Sequence, residues 1–154
     1  MKASYLLLAL TNLALMGLTA LFGLQVQGAE GFERHFLLGV LSSLFACFVH
    51  IVTYMYFVVQ EKIVRQAALS DGLDVTFHEQ VVALKSRGLR LSMVGIFAIL
   101  MTVTLGAAIG IHLPAEAHLV AAFTAILING FLILYQYALI DEYGRLSQRA
   151  FPEG

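Results

Sequence analysis

Four long apolar blocks, separated by short clusters of charge, dominate the pattern along this chain. Residues 3–29, 35–60, 91–115 and 117–140 contain no Asp, Glu, Lys or Arg, and run for 27, 26, 25 and 24 residues. A helix needs ~20 apolar residues to cross a hydrocarbon core ~30 Å thick, at ~1.5 Å rise per residue. Each block is long enough. None carries the charged stripe of a helix that packs one face and wets the other. The pattern therefore predicts an all-α chain: an integral membrane four-helix antiparallel bundle, with spans at about 3–26, 35–60, 90–112 and 117–140. The connections QGAEGFER and IHLPAEAH are brief, and short connections make consecutive helices antiparallel neighbours.

The second block does not have to end at the membrane. EKIVRQAAL keeps helical spacing after Gln60, and Gly72 in Ser70-Asp71-Gly72 suits a left-handed cap. Thr76-Phe77-His78-Glu79 fits a capping box that would open the third helix well before its apolar block. A cytoplasmic extension of helices 2 and 3 follows, as a hairpin over 61–89, with a cytoplasmic tail over 141–154. Pro114 can end helix 3 or open helix 4. The first block competes with a signal peptide ending near Gly28-Ala29-Glu30. Its apolar core is longer than an h-region of ~7–15 residues, which favours a span. Residues 1–154 read as a single domain, and no internal repeat or low-complexity segment is expected.

Composition agrees with the blocks. The chain is 60% apolar and only 12% charged, with a mean hydropathy of +0.85, far from a water-soluble domain. The distribution of Lys and Arg adds a direction. Lys2, Lys62, Arg65, Lys85, Arg87, Arg90, Arg145 and Arg149 share one side of the expected topology, against Arg34 alone on the other. That bias predicts cytoplasmic termini in a bacterial inner (cytoplasmic) membrane. A net charge of -1 gives no sign of nucleic-acid binding. The single cysteine, Cys47, lies inside a block, which excludes an intrachain disulfide and a zinc site built from paired cysteines.

Candidate chemistry sits at two levels. Counting from the cytoplasmic ends puts His50, Asn12, Asn129 and Thr102 within one helical turn of each other in depth. Each lies on a stripe of small or polar residues: Gly39, Ser43, Cys47, His50 and Tyr54 on helix 2; His118, Ala122, Ala125, Asn129 and Gln136 on helix 4; Ser92, Gly95, Ile99, Thr102 and Gly106 on helix 3; Asn12, Leu15, Thr19 and Gly23 on helix 1. Such stripes face other helices in lipid, and Gly106 with Gly110 adds a GxxxG. His50 is expected within a polar layer. It serves there either as helix glue or, with Tyr54, Asn12, Thr102 and Asn129, as a contact for a b-type haem or quinone. A second group, His35, His112 and His118, falls at the outer rim. It offers a transition-metal site or two axial ligands for a haem. His78, near a helix start, reads as a solvated residue.

What is missing narrows the function. No carboxylate lies inside a span, which counts against a proton-coupled transporter. There is no phosphate loop, nucleophile elbow, HExxH or CxxC, which points away from an enzyme of the usual hydrolase, ATPase or thiol-redox types. Two expectations of different class remain. The chain is a small accessory or structural subunit of a larger membrane complex or homo-oligomer, with the bilayer and other membrane subunits as partners. Alternatively, it is a redox module holding b-type haem or quinone through His50 or the rim histidines. A small membrane transporter is the weaker third.

Overall fold

The computed structural model describes residues 2–70, 75–109 and 114–151. They form four helices: α1 (Lys2–Leu24), α2 (Gly28–Ser70), α3 (Val75–Ala107) and α4 (Ala115–Ala150). All four are long and apolar enough to cross a membrane. Gly28 makes the reversal between α1 and α2 with φ +66°, a conformation that side chains with a Cβ disfavour. Pro114 stands immediately before α4 in an extended conformation, and its carbonyl accepts the Ala117 amide. It therefore opens the last helix rather than ending the third. The expected Gly72 cap, and with it residues 71–74, lies outside the described residues, as does Gly110 of the GxxxG. Helix α3 begins at Val75, so Thr76 falls inside its first turn instead of preceding it.

Two helices exceed their expected bounds. Helix α2 ends at Ser70, where its extension was expected, but begins at Gly28 inside the connection QGAEGFER; its 43 residues correspond to about 65 Å, roughly twice a hydrocarbon core. Helix α4 continues through the segment read as a tail and stops only at Ala150. The reason is packing. Tyr143 lies in one buried cluster with Tyr5, Phe57, Val64, Val81, Leu84 and Ile140, and Leu146 and Phe151 pack against that cluster. The apolar face of the α2–α3 hairpin is thus covered by the last turns of α4. Close approach is essential here: a Cβ on Gly88 would come within 2.7 Å of the Phe57 ring.

The helices contact in a ring, α1 with α2, α2 with α3, α3 with α4 and α4 with α1. The ring is built from two similar halves, contrary to the expectation of no repeat. Thr19, Gly23, Glu33 and His35 recur as Thr102, Gly106, Glu116 and His118, each 83 residues later. The buried positions follow the same interval. Tyr5, Ala9 and Asn12 on α1 correspond to Gly88, Ser92 and Gly95 on α3. Ser42, Ala46, Val49, Thr53 and Phe57 on α2 correspond to Ala125, Asn129, Leu132, Gln136 and Ile140 on α4. One helical hairpin pattern has been used twice, with most surface identities changed and the buried register kept.

At the end of the bundle that carries the chain termini, ion pairs close the ring. Lys2 on α1 bonds Asp141 on α4. Glu61 on α2 accepts from His78 at 3.0 Å and from Lys85 at 3.1 Å, both on α3. His78 is accordingly a partner in an interhelical cluster rather than a solvated residue. The hydrogen bond from His78, and after it Lys85, holds the Glu61 carboxyl below its ordinary value of 4.5. A carboxyl depressed in the folded state contributes stability that is present above its unfolded value and lost as pH falls through the folded one. The hairpin end should therefore weaken on acidification below about pH 4.5. Thermal melts of detergent-solubilised protein across pH 3–7 should steepen on that acid limb, and Glu61→Gln should flatten it. Superimposable profiles for the two proteins would remove Glu61 from the account.

Candidate functional site

The first candidate site is the layer around His50. Its imidazole is 3% exposed, and Asn129 and Gln136 are each 1% exposed. His50 Nε2 lies 3.0 Å from Asn129 Oδ1. An amide oxygen only accepts, so Nε2 carries the proton. The Asn129 orientation is fixed in turn by its own Nδ2, which donates to the Ala125 carbonyl at 2.8 Å. Gln136 Nε2 points at His50 Nδ1 from 3.5 Å and donates to Ser92 Oγ at 3.2 Å. Ser92 donates to the His50 carbonyl at 3.1 Å, and Tyr5 donates to Gln136 Oε1 at 3.1 Å. Five side chains from all four helices form one network, and both nitrogens of His50 face partners inside it.

The network differs from the expected layer in its membership. Asn129 is where the depth count put it. Thr102 is not: its hydroxyl donates to the carbonyls of Ala98 and Ala121, towards the other end of the bundle. Gly95, seven residues earlier, takes its place beside His50, and a Cβ there would come within 2.2 Å of His50 Nε2. The count from Arg90 failed because Ser92, two residues on, already belongs to the network; Arg90 marks no membrane edge level with Gln60. On α2 the buried residues around the layer are Ser42, Ala46, Val49, His50, Thr53 and Phe57; of the expected stripe only His50 is among them, and Gly39, Ser43, Cys47 and Tyr54 are half-buried. Tyr54 consequently sits half-buried beside the layer and does not enter it. Asn12 is buried at 2% exposure, and its Oδ1 has no hydrogen-bond partner among the described residues. The residue matching His50 in the second half is Ile133, a side chain with nothing to donate. Tyr5 is the network member absent from the expected stripes, whereas Gln136 and Ser92 both lie on them. Its signal was a two-turn spacing from Asn12, the same as that of Gln136 from Asn129.

The second candidate site lies at the opposite end of the bundle from the termini. His35 and His118 are brought together there, with ring centroids 6.0 Å apart and planes at 72°. His35 Nδ1 lies 3.1 Å from the Thr19 carbonyl, and His118 Nδ1 lies 3.0 Å from the Thr102 carbonyl. Each Thr hydroxyl bonds a carbonyl one turn back and another across the hairpin: Thr19 to Leu15 and Leu38, Thr102 to Ala98 and Ala121. A Cβ on Gly23 or Gly106 would come within 2.8 Å of the facing imidazole. His112, the third expected rim ligand, lies outside the described residues. No group of three or more His, Cys, Asp or Glu able to hold a metal ion occurs among the described residues.

Two measurements probe the central network. Gly95→Ala should lower stability by about 1–3 kcal/mol through overpacking against the imidazole, whereas Gly17→Ala, with open space around it, should leave it unchanged. Equal melting temperatures would overturn the close approach. A double-mutant cycle of His50→Ala and Asn129→Ala should return a coupling of roughly 0.6–1.7 kcal/mol, the range for hydrogen bonds between membrane helices. Strict additivity would mean that the bond contributes nothing.

No protein-family model matches the sequence, and no curated protein or solved structure matches it. The roles of these residues rest on their arrangement and its chemistry.

Proposed function

We propose that the chain is a small integral membrane subunit, an antiparallel four-helix bundle that works within a larger membrane assembly or homo-oligomer and performs no catalysis at its centre. The observation that carries this reading is the closure of the His50 network. An ionisable residue deep in an apolar bundle is a functional candidate by default. Here both of its nitrogens face polar partners on α4, Asn129 and Gln136. An imidazole held in this way clasps helices, with Nε2 bonded to Asn129 and Nδ1 facing the Gln136 amide.

The topology belongs to the same proposal. The excess of eight Lys and Arg residues over one favours a cytoplasmic side, in a bacterial inner membrane, for both termini, the extension of α2 and α3, and the end of α4. His35 and His118 then lie at the outer rim. The exterior is covered by large apolar side chains such as Leu7, Phe36, Leu44, Phe97, Leu127 and Leu134, which suits lipid and neighbouring membrane helices alike.

Native mass spectrometry after extraction in a mild detergent tests the subunit reading. The chain should appear with other polypeptides or with further copies of itself. A chain that is folded and appears only as a monomer across detergents would overturn the proposal.

A further inference from the structure

Two rows of exposed side chains run along the outside of the α2–α3 hairpin, on the side away from the buried Phe57, Val64, Val81 and Leu84. On α2 the row is Met55, Lys62 and Leu69; on α3 it is Val75, Val82 and Leu89. Members of each row are seven residues apart, so each row keeps to one side of its helix. At the tip of the hairpin the apolar members are bare: Leu69 is 84% exposed and Val75 62%.

Depth makes that exposure costly. A hydrocarbon core of ~30 Å takes up ~20 helical residues. From the start of its apolar block, that length brings α2 to Tyr54 and Tyr56 and α4 to Tyr135 and Tyr137. Tyrosines gather where the membrane meets water, so the hydrocarbon ends at this level. Leu69 stands ~20 Å beyond it, where no lipid chain covers it. Three charged residues accompany the rows in this outer part. Lys62, Arg65 and Glu79 are exposed, and they belong to no ion pair among the described residues.

We propose that a second copy of this chain docks on the outer face of the α2–α3 hairpin, forming a dimer with its two-fold axis along the membrane normal. The inference rests on the subunit reading and specifies its assembly as self-association. The register of the hairpin carries it. Phe57 lies over Gly88, and His50 over Gly95. Counting along both helices from Phe57 and Gly88, Leu69 falls within one residue of the level of Val75, Arg65 of Glu79, Lys62 of Val82 and Met55 of Leu89. The bilayer holds every copy at one depth and in one orientation. Where α2 of one copy meets α3 of another, residues of equal level therefore meet. Leu69 then covers Val75, Met55 covers Leu89, and the stem of Lys62 lies on Val82. Arg65 meets the opposite charge of Glu79. The two rows complement each other, which a face shaped for an unrelated partner has no reason to do. A two-fold interface is isologous, so each of these contacts is made twice.

The test uses the full chain in mild detergent, with association followed by energy transfer between separately labelled copies. The wild type should form dimers. Arg65→Glu and Glu79→Arg should each weaken association, roughly tenfold in dissociation constant, because the pair occurs twice and both copies of it become like-charged. An equimolar mixture of the two variants should recover the wild-type affinity, since both pairs in a mixed dimer are again of opposite charge. An effect arising within one chain is not rescued by mixing. Leu69→Ser should also weaken the dimer, whereas Leu134→Ser, an exposed position elsewhere on the bundle, should not. The proposal is overturned if the folded chain stays monomeric, if the charge-reversed variants associate as the wild type does, or if their mixture fails to recover. Native mass spectrometry separates the two readings. Other polypeptides without a second copy would keep the subunit reading and remove this one; a lone chain in every detergent would remove both.

Discussion

The contact between the His50 imidazole and the bare backbone of Gly95 fixes the middle of this bundle. No other residue type fits position 95 without displacing the ring, since even a Cβ would come within 2.2 Å of Nε2. Once the ring is seated there, its Nε2 reaches Asn129 and its Nδ1 faces Gln136. Gln136 then reaches Ser92 and Tyr5. The helices are tied in one register because shifting any of them by a residue breaks several of these bonds together. In an apolar setting such a slip leaves buried polar atoms without water as a substitute, which is why a small network can specify a unique packing.

The duplication explains both what is shared and what is not. Thr19 with His35 and Thr102 with His118 make the same bonds at the same sequence separation of 16 residues. Towards the termini the halves diverge in complementary pairs. Where one half has Asn12 and His50, the other has Gly95 and Ile133; where one has Tyr5 and Phe57, the other has Gly88 and Ile140. The bulky Phe57 ring lies over Gly88, and the His50 ring lies over Gly95. Each large side chain of one half is thus accommodated by a glycine of the other. At Asn12, the counterpart of Gly95, the buried Oδ1 has no donor among the described residues.

Much of the fold was legible in the sequence because charge-free length is a direct physical signal. Four blocks gave four helices, and the extension of α2 and α3 past their apolar windows followed from continued spacing in EKIVRQAAL. Asn129 was matched to His50 by counting alone. Thr102 was not, because the count took Arg90 as a surface marker when Ser92 is already interior. On α2 the stripe held at His50 but missed its neighbours, because Ser42 and Ser43 are chemically alike and only packing buries the first and not the second. The repeat was hidden for a related reason. Apolar residues exchange freely where only volume matters, so few identities survive, and the recurring Thr, Gly, Glu and His are spread across two helices and a turn. Helix α4 ran on to Ala150 because Tyr143 and Leu146 have a cluster to join, which no local pattern announces.

The two histidine sites also show why position in an apolar segment is a poor guide to role. His50 is the deeper and more conspicuous residue, yet its hydrogen bonds direct its proton and its lone pair inward to protein partners. His35 and His118 are less buried and sit near helix starts, where an imidazole attracts little notice. Their surroundings do the reverse: a backbone carbonyl fixes Nδ1–H in each ring. In each ring the tautomer is set by one neighbouring oxygen. That distinction follows from which atoms accept and which donate.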